Sequence, residues 1–155
     1  MFDSLTHPLA GVKMKRIHPA AIPPKVATPG SAAVDLYSVE TVIAPPNTPI
    51  PVGIGWAMEL PDPRLYFSIV PRSGRAFKEN LTVANSPATI DFDYRGEIKV
   101  LLFNRSNTPL MIYAGERIAQ MIIGITLTST LEFEEVSELS DTLRGTGGFG
   151  STGKV

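Results

Sequence analysis

Short apolar runs, each ended by Pro, Gly, Asn or Asp, follow one another along most of the chain. The 155 residues include 14 Pro and 13 Gly, which lie between runs rich in β-branched and aromatic side chains. Such runs favour strands, and the residues that end them favour tight turns. The pattern predicts an all-β fold, a jelly-roll-like sandwich or barrel. Strands are expected at 33–38, 48–60, 64–71, 81–85, 97–104, 108–114 and 117–128.

Only two segments have helical character, and both are short. One covers residues 75–80 and follows a Pro-Arg-Ser-Gly turn. The other covers 134–143, where Val136, Leu139 and Leu143 recur at helical spacing. The sequence therefore predicts very little helix beside the strands.

The last twelve residues differ in composition from the rest of the chain. They are mainly Gly, Ser and Thr, which cannot bury enough surface to order themselves, so a mobile arm is expected. A chain of this length is expected to form one domain. The expected division is a β core at about 14–130 and a C-terminal arm at about 131–155, with a glycine-rich flap at 144–155.

Composition excludes several classes of site. The chain has no Cys, so disulfides, thiolate nucleophiles and Cys-based zinc sites are excluded. The net charge of -1 argues against a general nucleic-acid or membrane-surface binder. No apolar run is long enough to span a bilayer and no signal peptide is recognised, so a cytoplasmic location is expected, or the host cytoplasm for a viral protein. His7 and His18 have no recognisable catalytic or metal-binding partners.

The C-terminal stretch "GFGSTGK" (148–154) fits the P-loop pattern, but Val155 stands where Ser or Thr is required and no helix follows. A Walker A motif is therefore rejected. A disordered tail is the simpler alternative, yet it would not need Arg144, Phe149, Ser151 and Thr152 among its glycines. Free glycine N–H groups, hydroxyls, a guanidinium and an aromatic face suit a flap that closes over a nucleotide.

Four internal stretches carry further candidates for a nucleotide site. Each is ambiguous alone: the carboxylate in "AAVDLYS" is either a satisfied buried group or a group near a metal, and "PRSGRA" is either a phosphate-binding helix start or a plain turn. The charges of "DFDYRG" would also suit a solvated strand face. The polar groups in "GERIAQMII" are similarly open to both interpretations.

Taken in order, "AAVDLYS", "PRSGRA", "NSPATIDFDYRGEI", "AGERIAQMII" and "RGTGGFGSTG" resemble the five motifs of the homotrimeric dUTPase family, from about Asp35 to Gly153. The resemblance implies Mg²⁺-dependent hydrolysis of dUTP to dUMP and pyrophosphate. This reaction limits uracil incorporation into DNA and supplies dUMP for thymidylate synthesis. It also implies a jelly-roll homotrimer whose active sites take residues from all three chains, with the arm closing over a neighbour's site.

The resemblance also assigns roles to individual residues. Asp91 matches the carboxylate that activates the attacking water, and Tyr94 matches the aromatic ring packed under the deoxyribose. Asn85, with the backbone through Thr89 and Ile90, matches the group that pairs with uracil. The other matched positions are Lys99 near substrate; Arg72, Ser73, Gly74 and Gln120 on the phosphate side; Phe149 over uracil; Arg144, Gly150, Ser151 and Thr152 on the phosphates; and Asp35, which would act on Mg²⁺ through water.

Four positions depart from the family pattern. Ala88 replaces a usual Gly, which raises the question of the local backbone geometry. Phe92 replaces a small residue, Arg75 a common Leu, and Glu116 a common Asp. Strict strand alternation would also place Asp91 and its partner aromatic on opposite faces, so a bend between them is expected.

Two alternatives stay open on the residues alone. A dCTP deaminase would share the fold, but it uses a Glu base for which no matching context is found. A nucleotide-gated regulator could use the same arm as a signalling element. A capsid or lectin jelly roll would explain the strands but not the five stretches.

Overall fold

The structure is a computed structural model that describes residues 11–148. Twelve short strands and one α-helix follow one another along this part of the chain. The strands are β1 (Lys13–Arg16), β2 (Lys25–Val26), β3 (Val34–Tyr37), β4 (Val42–Ala44), β5 (Pro49–Gly53), β6 (Trp56–Glu59), β7 (Leu65–Val70), β8 (Leu81–Val83), β9 (Ala88–Ile90), β10 (Lys99–Asn104), β11 (Leu110–Ile112) and β12 (Arg117–Ile125). The helix is α1 (Ser73–Glu79), and a 3₁₀ turn covers Thr128–Thr130.

The strands form four antiparallel sheets around one apolar core. The largest has the order β2-β3-β12-β7-β9, and the others pair β5-β10-β8, β1-β6 and β4-β11. In β7 the side chains of Leu65, Phe67 and Ile69 are buried while the alternate ones are half-buried, as expected for a strand with one face on the core. In β10, Val100 and Leu102 enter the same core from the second sheet.

This architecture confirms the predicted all-β, jelly-roll-like fold, as a sandwich rather than a closed barrel. Each predicted strand contains an observed one, but the stretch 48–60 divides into β5 and β6. Gly55 separates the two with a left-handed φ of 73°, and an added Cβ there would lie 2.6 Å from the Ala21 side chain. Four strands were not predicted, namely β1, β2, β4 and β9, each of two to four residues.

The first predicted helix is confirmed as α1, which ends where Asn80 adopts the left-handed conformation that Asn tolerates. The second is wrong: residues 134–143 form no helix. Its apolar side chains find no surface in residues 11–148 to pack against, and Leu139 is 87% exposed. A ten-residue helix without such packing is only marginally stable in water. No helix among the described residues is long and apolar enough to cross a membrane.

Candidate active site

A cleft of about 420 Å³ lies where β3, β12 and the turn after β7 meet. Its walls come from three separate parts of the sequence, 27–35, 72–74 and 117–122, which the strand order brings together. β12 lies between β3 and β7 in the five-stranded sheet, so residues near the ends of these strands become neighbours. The lining residues are Ala27, Ser31, Ala32, Ala33, Asp35, Arg72, Ser73, Gly74, Arg117, Gln120 and Ile122.

Two arginines hold one carboxylate at the centre of this cleft. Asp35 is buried on β3; its Oδ1 accepts a hydrogen bond from Arg72 Nε at 2.8 Å, and its Oδ2 accepts one from Arg117 Nη1 at 3.2 Å. A buried carboxylate is costly unless it is paired in this way. Two guanidinium groups against one carboxylate leave one positive charge in excess, which suits an anionic ligand.

The turn before α1 is fixed by Gln120, which faces Asp35 across the β3–β12 pair. The Gln120 side-chain amide donates to the Pro71 carbonyl at 3.0 Å. This leaves Ser73 and Gly74 exposed at the mouth of the cleft, and nothing lies within 4 Å of the position that a Cβ on Gly74 would occupy. The cleft thus offers a hydroxyl and open backbone beside two cations.

Asp91 and Tyr94 lie in a separate turn that follows β9. The Tyr94 N–H donates to the Asp91 carbonyl at 3.2 Å, so the chain bends between the two residues as expected. Arg95 braces this turn: its Nη1 donates to the carbonyls of Phe92 at 2.6 Å and Tyr94 at 3.0 Å, and its guanidinium lies 5.5 Å from the centre of the Phe92 ring. Phe92, the larger residue at this position, is half-buried against the core and anchors the turn.

The other candidates for base recognition lie on or beside β9. Thr89 and Ile90 are part of the strand, and Asn85 is exposed in the turn that precedes it. Ala88 pairs with Ile69 as an ordinary strand residue with its side chain buried. The described residues with a left-handed φ do not include it, so this position does not need glycine.

The turn and the cleft do not meet within one chain. Ile90 pairs with Phe67, so Asp91 comes opposite Tyr66, six residues before Arg72. Because a strand advances about 3.3 Å per residue, Asp91 lies roughly 20 Å along the sheet from Arg72. Neither Asp91 nor Tyr94 lines the cleft. Lys99 lies elsewhere again, in a smaller cavity of about 210 Å³ that Glu97 and His18 also line.

Only part of the predicted arm site falls within the described residues. Arg144 Nε donates to the Gly147 carbonyl at 2.8 Å in a tight turn. Phe149, Gly150, Ser151 and Thr152 lie outside the described residues. Arg117 is one of the polar groups of "GERIAQMII" that the sequence leaves ambiguous, and the family resemblance gives it no role. The structure shows that it binds Asp35.

Two exposed pairs on the surface lower the pKa of a carboxyl group. Hydrogen bonds from Arg64 lower the pKa of Asp62 to about 2, and a hydrogen bond from Lys13 lowers the pKa of Glu59. Residues 11–148 contain no group of three or more His, Asp or Glu side chains that could hold a metal ion.

Comparison with known proteins identifies the relatives of this chain. The family model described as dUTPase matches residues 19–153. A deoxyuridine 5'-triphosphate nucleotidohydrolase of Nautilia profundicola is 49% identical over 143 residues, covering 92% of this chain and 99% of the relative. One of Clostridium acetobutylicum is 45% identical over 145 residues, covering 94% of this chain and 98% of the relative.

Solved structures share the fold. A dUTPase of Staphylococcus bacteriophage 80alpha, solved with dUpNHpp, superposes with a TM-score of 0.83 at 24% identity and covers 93% of this chain and 99% of its own. A dUTPase of the Staphylococcus aureus phage phi11, described with a structural Mg(II) ion, gives a TM-score of 0.76 at 19% identity and covers 84% of this chain and 99% of its own.

Proposed function

Since the chain belongs to the dUTPase family, we propose that it hydrolyses dUTP to dUMP and pyrophosphate, using a cleft and a turn contributed by different copies of the chain. The observation that carries this proposal is the excess positive charge of the cleft. Arg72 and Arg117 surround one carboxylate beside the open Ser73 hydroxyl, an arrangement suited to a polyphosphate.

Asp91 is the general base of the proposed reaction. Its side chain is exposed. The carboxylate oxygens accept no hydrogen bond from residues 11–148, so the carboxylate is free to take a proton from water. The water oxygen forms a bond to the α-phosphorus as its proton passes to Asp91. The bond between the α-phosphorus and the oxygen that bridges to the β-phosphate breaks, and pyrophosphate leaves with that oxygen and the electron pair. The turn that Arg95 braces fixes the position of the base for this step.

Mg²⁺ belongs to the proposal as an ion carried by the substrate. Mg²⁺ usually keeps several waters and binds substrate phosphates, so it would be held mainly by phosphate oxygens and water. Both oxygens of Asp35 already accept from arginines, but a carboxylate oxygen can also accept from water, so Asp35 would contact the ion through water. When bound, the ion would neutralise phosphate charge.

The β9 region would select the nucleoside. The Asn85 amide both donates and accepts, as pairing with a uracil edge requires, and the backbone of Thr89 and Ile90 lies next to it in the sequence. The Tyr94 ring would pack under the deoxyribose and exclude a 2'-hydroxyl. Lys99 would approach the substrate from the following strand.

A homotrimer would bring the two parts of the site together. The separation of roughly 20 Å between Asp91 and Arg72 along the sheet is bridged if each comes from a different chain. The arm at 131–148 exposes large apolar side chains, with Phe133 90% exposed, which suits docking on a neighbour. The flap formed by Arg144, Phe149, Gly150, Ser151 and Thr152 would then close over that neighbour's nucleotide.

Pyrophosphate release with Mg²⁺ tests the proposed activity, with dUTP, dTTP, UTP and dCTP compared at equal concentration. Release from dUTP alone would support both the uracil pocket and the sugar selection. Ammonia release from dCTP would instead indicate a deaminase. Binding of dUTP without any turnover would indicate a nucleotide-gated regulator and contradict the proposal.

Replacing Gly96 by Ala should weaken the discrimination against UTP. An added Cβ would lie 2.6 Å from Tyr94 Cζ and would displace the ring, whose hydroxyl donates to the Glu97 carbonyl at 3.0 Å. Rejection of one hydroxyl by shape is worth on the order of 100-fold, and we expect the dUTP/UTP ratio of kcat/KM to fall about tenfold. Gly11→Ala, where an added Cβ meets nothing within 4 Å, is the matched control. An unchanged ratio in Gly96→Ala would refute the role of Tyr94.

A further inference from the structure

Helix α1, which presents Ser73 and Gly74 to the cleft, buries none of its own residues completely. Phe77, its only aromatic side chain, is 88% exposed. A seven-residue helix is not stable by itself in water. In α1, burial of apolar side chains does not supply the missing stability. Polar contacts must therefore hold it against the sheet.

Arg75 supplies the main contact of this kind. Its side chain is 13% exposed, and its Nη1 donates to Glu116 Oε2 at 3.1 Å, in the turn that leads into β12. Its Nε also lies 3.2 Å from Glu79 Oε2, one helical turn further along α1. The two residues that depart together from the family pattern, Arg75 and Glu116, are thus direct partners.

This pair closes a ring of contacts between α1 and the start of β12, made partly of ion pairs and partly of the chain itself. Arg72 at the start of α1 binds Asp35, and Asp35 binds Arg117. Arg117 follows Glu116 in the chain, and Glu116 binds Arg75, which returns the ring to α1. The start of α1 is therefore linked to the start of β12 twice, through Asp35 in the cleft and through Glu116 outside its lining.

We propose that Arg75 is a positioning residue for phosphate binding: through Glu116 it fixes the turn 72–74 relative to β12. Arg75 does not line the cleft, and its charge is met by two carboxylates, so it does not bind phosphate itself. Its effect is to hold Arg72 and Ser73 in place for the polyphosphate. The inference rests on the proposed function, because it assumes that this cleft binds phosphates.

The test is a double-mutant cycle with Arg75→Met, Glu116→Gln and the double variant. Hydrogen exchange should report α1 directly: we expect amide exchange over 73–79 to rise about tenfold in Arg75→Met, the size typical of coupling between contacting charges. The dissociation constant of inorganic triphosphate, measured by calorimetry, should rise about tenfold as well. That of deoxyuridine, which has no phosphate, should stay unchanged, and the double variant should be no worse than Arg75→Met.

Arg64→Met is the matched control, because it removes an Arg–carboxylate pair with Asp62 on the surface outside the cleft. Unchanged exchange over α1, or unchanged triphosphate binding in Arg75→Met, would overturn the inference. Equal weakening of triphosphate and deoxyuridine would also overturn it, since a general structural defect affects both. The wild-type protein separates this failure from failure of the proposed function. When the variants overturn the inference but the wild-type protein binds triphosphate and hydrolyses dUTP, only the inference about Arg75 has failed. When the wild-type protein does neither, the proposed function has failed as well.

Discussion

Replacing Asp91 by Asn should reduce turnover of dUTP by a factor on the order of 10² to 10⁴, the range for loss of a general base. Asparagine keeps the shape of the side chain but cannot take the proton of the attacking water. The turn around it is held by backbone and Arg95 contacts that do not involve the carboxylate. Binding of dUTP should therefore stay close to that of the wild-type protein, as measured by calorimetry beside single-turnover pyrophosphate release.

Asp93 provides the control for this experiment. It is an exposed carboxylate in the same turn, two residues away. Asp93→Asn makes the same change of charge near the site and should keep most of the wild-type rate. Wild-type turnover in Asp91→Asn, or an equal loss in both variants, would show that Asp91 is not the base.

Removal of residues 144–155 should lower turnover on the order of 100-fold, as expected when several donors to a developing phosphate charge are lost together. The variant loses Arg144 and the flap residues that the family resemblance places over the nucleotide. Thermal stability should hardly change, because none of residues 144–148 belongs to the hydrophobic core. Pyrophosphate release and the melting temperature are the two measurements.

A shorter truncation tests whether the loss of turnover comes from the flap residues or simply from a shorter chain. Removing only Lys154 and Val155, which lie beyond the region matched by the family model, should leave turnover unchanged. A full truncation that kept wild-type turnover would contradict the role of the flap. A truncation that melted far below the wild-type protein would show that the arm stabilises the fold instead.

The sequence predicted the all-β architecture because strand-forming runs and turn residues alternate throughout the chain. It failed where tertiary contacts decide the outcome. Val136, Leu139 and Leu143 have the spacing of an amphipathic helix, but a short helix also needs a surface against which to pack. Strands of two to four residues such as β2 are set by pairing with a neighbour, which local composition does not reveal.

The sequence predicted the motifs of the candidate site but not which of their side chains contact each other. The order of the five stretches identified Asp35, Arg72 and Gln120, and the structure brings these three into one cleft. The sequence did not show that Arg117 is the second cation on Asp35, because that contact depends on the β3–β12 pairing. Nor did it show that Arg75 and Glu116, which appeared as unrelated departures, contact each other.

A mixing experiment tests most directly whether the Asp91 turn and the flap complete one active site between chains. Asp91→Asn protein and protein lacking residues 144–155 are unfolded together in equal amounts, refolded, and assayed for pyrophosphate release from dUTP. If different chains supply the base and the flap, random assortment in a closed oligomer gives roughly one complete site in four, and about that share of wild-type activity should return. Activity no higher than the mean of the two separately refolded variants would contradict a shared site.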